Sequence, residues 1–148
     1  MADTLQPLPN EAKFSISLVG DVTGTTWSGA FKMKLRLSHR EQLKRDEYRR
    51  SLLGADPDHA SPRALSTAEC FSEITAHLVE MPKWWILLDN GMDLEDDNVV
   101  AEIYNNVIKE LVNYRKLVSD RSDKGKVDLK KISDELAIPP MAGVPQQA

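Results

Sequence analysis

A single cysteine in 148 residues, Cys70, excludes any internal disulfide and points to a reducing compartment. No apolar run approaches the roughly 18 residues of a membrane-spanning helix, so no membrane partner is expected. The opening residues, MADTLQPLPNEAKF, hold neither a basic region nor an apolar core, which argues against a secretion signal. Charge of one sign is also scarce. A net charge of -4 gives no global reason to expect binding to nucleic acid or a membrane surface. Internal repeats are absent, and GDVTGT lacks the lysine of a phosphate-binding loop and leads into a strand. The 41% hydrophobic and 28% charged residues match an ordinary globular protein, and the length suits a single domain over 1–148 with a real core.

The chain is organised around Trp27–Leu37, WSGAFKMKLRL. Trp27, Phe31, Met33, Leu35 and Leu37 fall on odd positions, while Lys32, Lys34 and Arg36 fall on even ones. This period-2 alternation predicts a long strand with one apolar and one basic face. Phe14, Ile16 and Leu18 alternate with Ser15 and Ser17 and predict a first strand, with the turn formers GDVTGTT between the two. The apolar set is even-numbered before the turn and odd-numbered after it, so opposed residues must sum to an odd number. A two-residue loop at Thr23-Gly24 satisfies this and sets Ile16 opposite Phe31 and Phe14 opposite Met33.

Ser38 with Glu41 reads as a capping box opening a helix to about Leu53, with Gly54 as a left-handed cap and Pro57 beyond it. Ser61-Pro62 opens a second helix to about Glu80, striped by Leu65, Ala68, Phe71, Ile74 and Leu78. Asp89-Asn90-Gly91 reads as a turn. The acidic run Asp93–Asp97 reads as the solvated start of a third helix, with Val100, Ile103, Val107, Leu111, Tyr114 and Val118 on one face. SDRSDKGK reads as a hydrophilic break before a short fourth helix. The expected fold is α+β: an N-terminal antiparallel hairpin packed on a small bundle of three to four helices. It divides into an extended arm (1–11), hairpin (12–37), helical part (38–118), and short helix with a flexible tail (119–148).

A search for catalytic or metal-binding residues finds little. Cys70 and His77 share a helix but sit roughly 10 Å apart along its axis, too far for a nucleophile–base pair. His39 and His59 have no ligand companion at usual spacing. DNGMDLEDDN fails the calcium-loop template because its glycine falls in the wrong place. No metal, cofactor or catalytic residue is expected. Two surfaces remain as candidates for partner binding. One is the basic face of Lys32, Lys34, Arg36, Arg45 and Arg49, which is either solvated or a contact for an acidic protein or nucleic acid. The other is Trp84-Trp85, where one ring is expected to pack on the hairpin and the other to cap a loop or meet a partner. Residues 32–50 carry eight bases against three acids, and residues 89–98 carry five acids and no base. That asymmetry suits contact with a charged partner or with copies of the chain.

Several short patterns occur in order: Trp27-x-Gly29-x-Phe31-x-x-Lys34, Leu37-Ser38, Arg49-Arg50-x-x-Leu53-Gly54, Pro82-x-Trp84-Trp85, Gly91-x-Asp93-Leu94 and Asn98-Val99-x-x-Glu102-x-Tyr104. Over about residues 14–114 this resembles small structural or assembly proteins of tailed bacteriophages, including tail assembly chaperones. The resemblance implies a non-enzymatic morphogenesis protein, either a minor virion component or a tail assembly factor, binding other phage structural proteins. It would act in the host cytoplasm during assembly or remain in the virion. The alternative is an accessory protein that binds nucleic acid through the basic face.

Overall fold

The computed structural model describes residues 6–135, with side chains described through residue 123. The fold is α+β, a three-stranded antiparallel sheet with four helices. In chain order these are β1 (Glu11–Val19), β2 (Thr26–Lys34), α1 (His39–Leu53), α2 (Pro62–His77), β3 (Leu78–Glu80), α3 (Lys83–Leu87) and α4 (Asp97–Glu135). A single 3-10 turn, Pro57–His59, fills the loop before α2. The chain divides into two compact units, Met1–Asn113 and Tyr114–Ala148. The first holds every candidate site residue.

The hairpin forms with the expected parity but not the expected pairing. Phe14 lies opposite Phe31, Ile16 opposite Gly29 and Leu18 opposite Trp27, a shift of two residues from the pairing of Ile16 with Phe31. The sum of paired numbers stays odd, so both apolar sets still share one face. The connection is not a two-residue turn at Thr23-Gly24. Residues 20–25 form a longer loop, closed by Gly20 N–H donating to the Thr25 carbonyl at 2.8 Å. The added length lets the loop reach the start of α4. On the buried face, Ile16, Phe31, Met33 and Leu35 are at most 8% exposed.

α1 begins as its capping box dictates: the Ser38 hydroxyl accepts from Glu41 N–H, and the Glu41 carboxylate accepts from Ser38 N–H. Gly54 follows with φ of 80° and ψ of -159°, a positive-φ residue outside the left-handed helical region. No α1 residue is buried, as its thin apolar content requires; it packs on α2 alone among the stronger element contacts. α2 is capped by Ser61 and ends at His77, three residues short of the expected Glu80. The chain there straightens into β3, which pairs with β2 through Lys32–Glu80 and Met33–Leu78 around a bulge. Leu65, expected in the α2 stripe, is 47% exposed.

α4 carries the cleanest period, and Val100, Ile103, Val107 and Leu111 are all buried. It starts at Asp97 rather than Asp93, because residues 88–93 form turns and 94–96 are irregular. It does not break at SDRSDKGK but runs on to Glu135. That stretch has no proline and one glycine, and a lone helical glycine costs only about 1 kcal/mol relative to alanine. Of the separate fourth helix and tail expected over 119–148, residues beyond 135 lie outside the described range.

Candidate functional site

Pro82 cannot continue a helix from β3, and it opens the five-residue helix α3. Its ring lies directly over Gly29, where any Cβ would collide with it. This close approach seats α3 on the hairpin. Trp84 and Trp85 follow, and both rings face inward. The Trp84 indole N–H donates to the Ser28 carbonyl at 2.9 Å, and its ring lies 4.8 Å from that of Trp27. Phe31 packs edge-on to each tryptophan at 6.2 Å, the two indoles pack edge-on to each other at 6.1 Å, and Phe31 stacks on Phe14 at 5.1 Å. Trp85 is fully buried and Trp84 half-buried. Neighbouring helical residues point about 100° apart, yet here both rings meet Phe31, and the three form one edge-on cluster. The next two residues are more exposed, Ile86 at 55% and Leu87 at 71%.

Behind this platform a carboxylate clasps the hairpin loop. Asp96 is wholly buried, in contrast to the solvated role expected for the acidic run. Its Oδ1 accepts from the N–H groups of Val22 and Thr23, both at 2.8 Å. Its Oδ2 accepts from the Thr23 hydroxyl at 2.6 Å and the Trp27 indole at 2.8 Å. Burial pushes the carboxyl pKa upward, but the hydroxyl, indole and two backbone donors outweigh it and hold the pKa at about 2. Gly20 is required beside it, since a side chain there would overlap the Asp96 carboxylate. Asn98 adds a second grip, accepting from Asp21 N–H and donating to the Val19 carbonyl. No sequence rule pointed to Asp96. The only clue was one aspartate among five acids placed two residues before Asn98.

The basic face is largely neutralised within the chain. Lys32 pairs with Glu11 and Glu80, and Lys34 sits 2.8 Å from both Glu41 oxygens. Lys34, then Ser38, holds the Glu41 carboxyl at about 2. Arg45 pairs with Asp46 and Glu73, and Arg49 with Asp46 and Glu69. Among the described residues only Arg36 of these five shows no carboxylate partner. A phosphate backbone would have to displace these carboxylates, which weakens the case for nucleic acid.

His77 is buried and hydrogen-bonded at Nδ1 to the Lys34 carbonyl at 2.6 Å, with Nε2 facing Glu73 at 3.5 Å. It covers the open side of β2. Cys70 lines an open cleft between α2 and α4 with Arg63, Glu69, Met92 and Tyr104. Burial pushes its thiol pKa up to about 11, so it stays protonated at neutral pH and is a poor nucleophile. Among the described residues no three ligating side chains gather to hold a metal ion. No described helix is long and apolar enough to cross a membrane.

No protein-family model, curated protein or solved structure matches the chain. The short patterns in the sequence acquire a physical meaning nonetheless. Trp27 donates to Asp96, Gly29 receives Pro82, Phe31 joins the two tryptophans, Ser38 caps α1, and Asn98 holds the loop. Gly91, with φ of 87°, lies against the Trp85 ring. These positions build a framework that ties the hairpin to α3 and to the start of α4.

Proposed function

We propose that this chain is a non-enzymatic assembly protein of tailed bacteriophages, a minor virion component or tail assembly factor that works through protein–protein contacts. It would act in the host cytoplasm during assembly, with other phage structural proteins as partners. The order of framework residues supports the phage reading. The observation that carries the contact reading is α3, whose inner residues Trp84 and Trp85 lock onto the hairpin while Ile86 and Leu87 project outward. Adjacent exposed aliphatic residues on a helix anchored by buried aromatics are pre-ordered, so a partner recovers their apolar area with little entropy cost.

The test is co-purification from cells infected by the phage that encodes the chain. An Ile86→Ser, Leu87→Ser variant is expected to fold normally, since neither side chain is buried. It should co-purify with tail proteins or particles about tenfold less than the parent, matching the loss of one modest anchor. Neutralising Lys32, Lys34 and Arg36 to Gln should leave co-purification near the parental level at physiological salt. A parent chain absent from both particles and tail-protein complexes would defeat the phage reading. Loss of the neutralised variant with retention of the α3 variant would move the contact to the basic face.

A further inference from the structure

The two outer edges of the hairpin are treated very differently. On β2, the outward backbone groups belong to even-numbered residues, and three of these residues are engaged. The Ser28 carbonyl accepts from Trp84, Lys32 pairs with β3, and the Lys34 carbonyl meets His77. On β1, the pairing can be read from its two ends. Leu35 N–H donates to the Asn10 carbonyl and Gly20 N–H to the Thr25 carbonyl, so even-numbered β1 residues face β2. The N–H and C=O groups of Glu11, Lys13, Ser15 and Ser17 therefore point away from the sheet. All four residues are exposed, and among the described residues nothing covers that edge until Asn98 caps the Val19 carbonyl. An open edge of this length, carrying only Glu11 and Lys13 as charged guards, is an unfilled strand site.

We infer that β1 pairs antiparallel with β1 of a second copy about a two-fold axis at Phe14, making one continuous six-stranded sheet. The free run from Glu11 to Ser17 is centred on Phe14. In this register Glu11 faces Ser17 of the other copy and Lys13 faces Ser15, so every freed backbone group gains a partner. On the apolar face Ala12 lies opposite Ile16, small against large. Phe14 meets Phe14 in a non-hydrogen-bonded pair, the closer of the two pair types at about 4.5 Å between Cα atoms. Phe14 is only half-buried in a single copy, so the aromatic row continues across the axis instead of ending at an edge.

Neighbouring registers fail on charge or hydrogen bonding. An axis at Lys13 opposes two lysines. An axis at Ser15 brings Glu11 against Val19, whose carbonyl Asn98 already holds. An axis at Ala12 places Pro9, which has no N–H, in a donor position opposite Ser15. The self-complementary match at Phe14 favours a second copy over a foreign strand, and the inference does not depend on the phage reading.

The experiment is sedimentation of the purified chain together with Ser15→Pro and Ser17→Pro. Each proline removes an outward N–H that the monomer does not use, a position where edge strands tolerate proline. The parent should sediment as a dimer by about 100 µM, and each variant as a folded monomer. Amides of Lys13, Ser15 and Ser17 should exchange at least about tenfold more slowly in concentrated than in dilute parent solution. A parent that stays monomeric at that concentration, or that forms larger species, overturns the proposal, as do proline variants that remain dimeric. If both variants fail to fold, amide exchange decides, and concentration-independent rates overturn it.

Discussion

Trp85→Ala is expected to cost about 3–5 kcal/mol of stability, in the range of other fully buried large aromatics. The ring has no solvent exposure, packs edge-on to Phe31 and to Trp84, and forms the floor on which Gly91 rests. Its removal leaves a cavity that neither the hairpin nor the 89–91 turn can fill by small shifts. Urea unfolding followed by circular dichroism measures the loss. A midpoint within experimental error of the parent would mean that Trp85 is not the keystone of the platform. Trp84→Ala should cost less, because its ring is only half-buried and the Ser28 carbonyl it leaves can bind water.

Asp96→Asn is expected to lower the melting temperature by roughly 5–10 °C at neutral pH. The substitution keeps the shape but replaces one acceptor oxygen with a donor. The Thr23 hydroxyl can rotate to accept from the new amide, whereas the Trp27 indole N–H is left facing another donor. The acid side of the stability profile gives an independent check. A carboxyl held at about 2 in the fold, below its unfolded value, stabilises above the ordinary carboxylate range. That contribution disappears as pH falls from about 4 towards 2. Glu41 titrates in the same direction in both proteins, so the parent-minus-variant difference isolates Asp96. A difference that does not shrink on acidification would show that Asp96 is not the ionised clasp.

Much of the local structure could be read from sequence, because its determinants lie within a few residues of each other. The capping box at Ser38, the Ser61-Pro62 start of α2, the 89–91 turn and the α4 period as far as Leu111 form as expected, whereas Val118 is exposed. The hairpin parity also held, since alternation alone decides which faces meet. Its exact pairing did not, because the loop length is set by Asp96, more than 70 residues further along the chain. The packing of the tryptophan pair is hidden in the sequence for a related reason. Residue spacing shows that the side chains diverge, but not that both rings meet the same phenylalanine of the hairpin. The basic face looked free because alternation displays Lys32, Lys34 and Arg36 as a row. Lys34–Glu41 is local, but Glu69, Glu73 and Glu80 reach that surface only through the fold. The open edge of β1 follows from which residues pair, and so was invisible until the pairing was known.

The clasp also bears on the order in which the chain assembles. Strand alternation can zip β1 to β2 early, through contacts between near neighbours. The amides of Val22 and Thr23, by contrast, gain their acceptor only when the start of α4 arrives, and closing so long a stretch of chain is slow. Both residues sit on an exposed loop, where backbone hydrogens ordinarily exchange within the fastest class. In this protein a surface turn becomes a reporter of a contact more than 70 residues away: its hydrogens are released by undocking of the α4 start, and not by fraying of the hairpin that carries them.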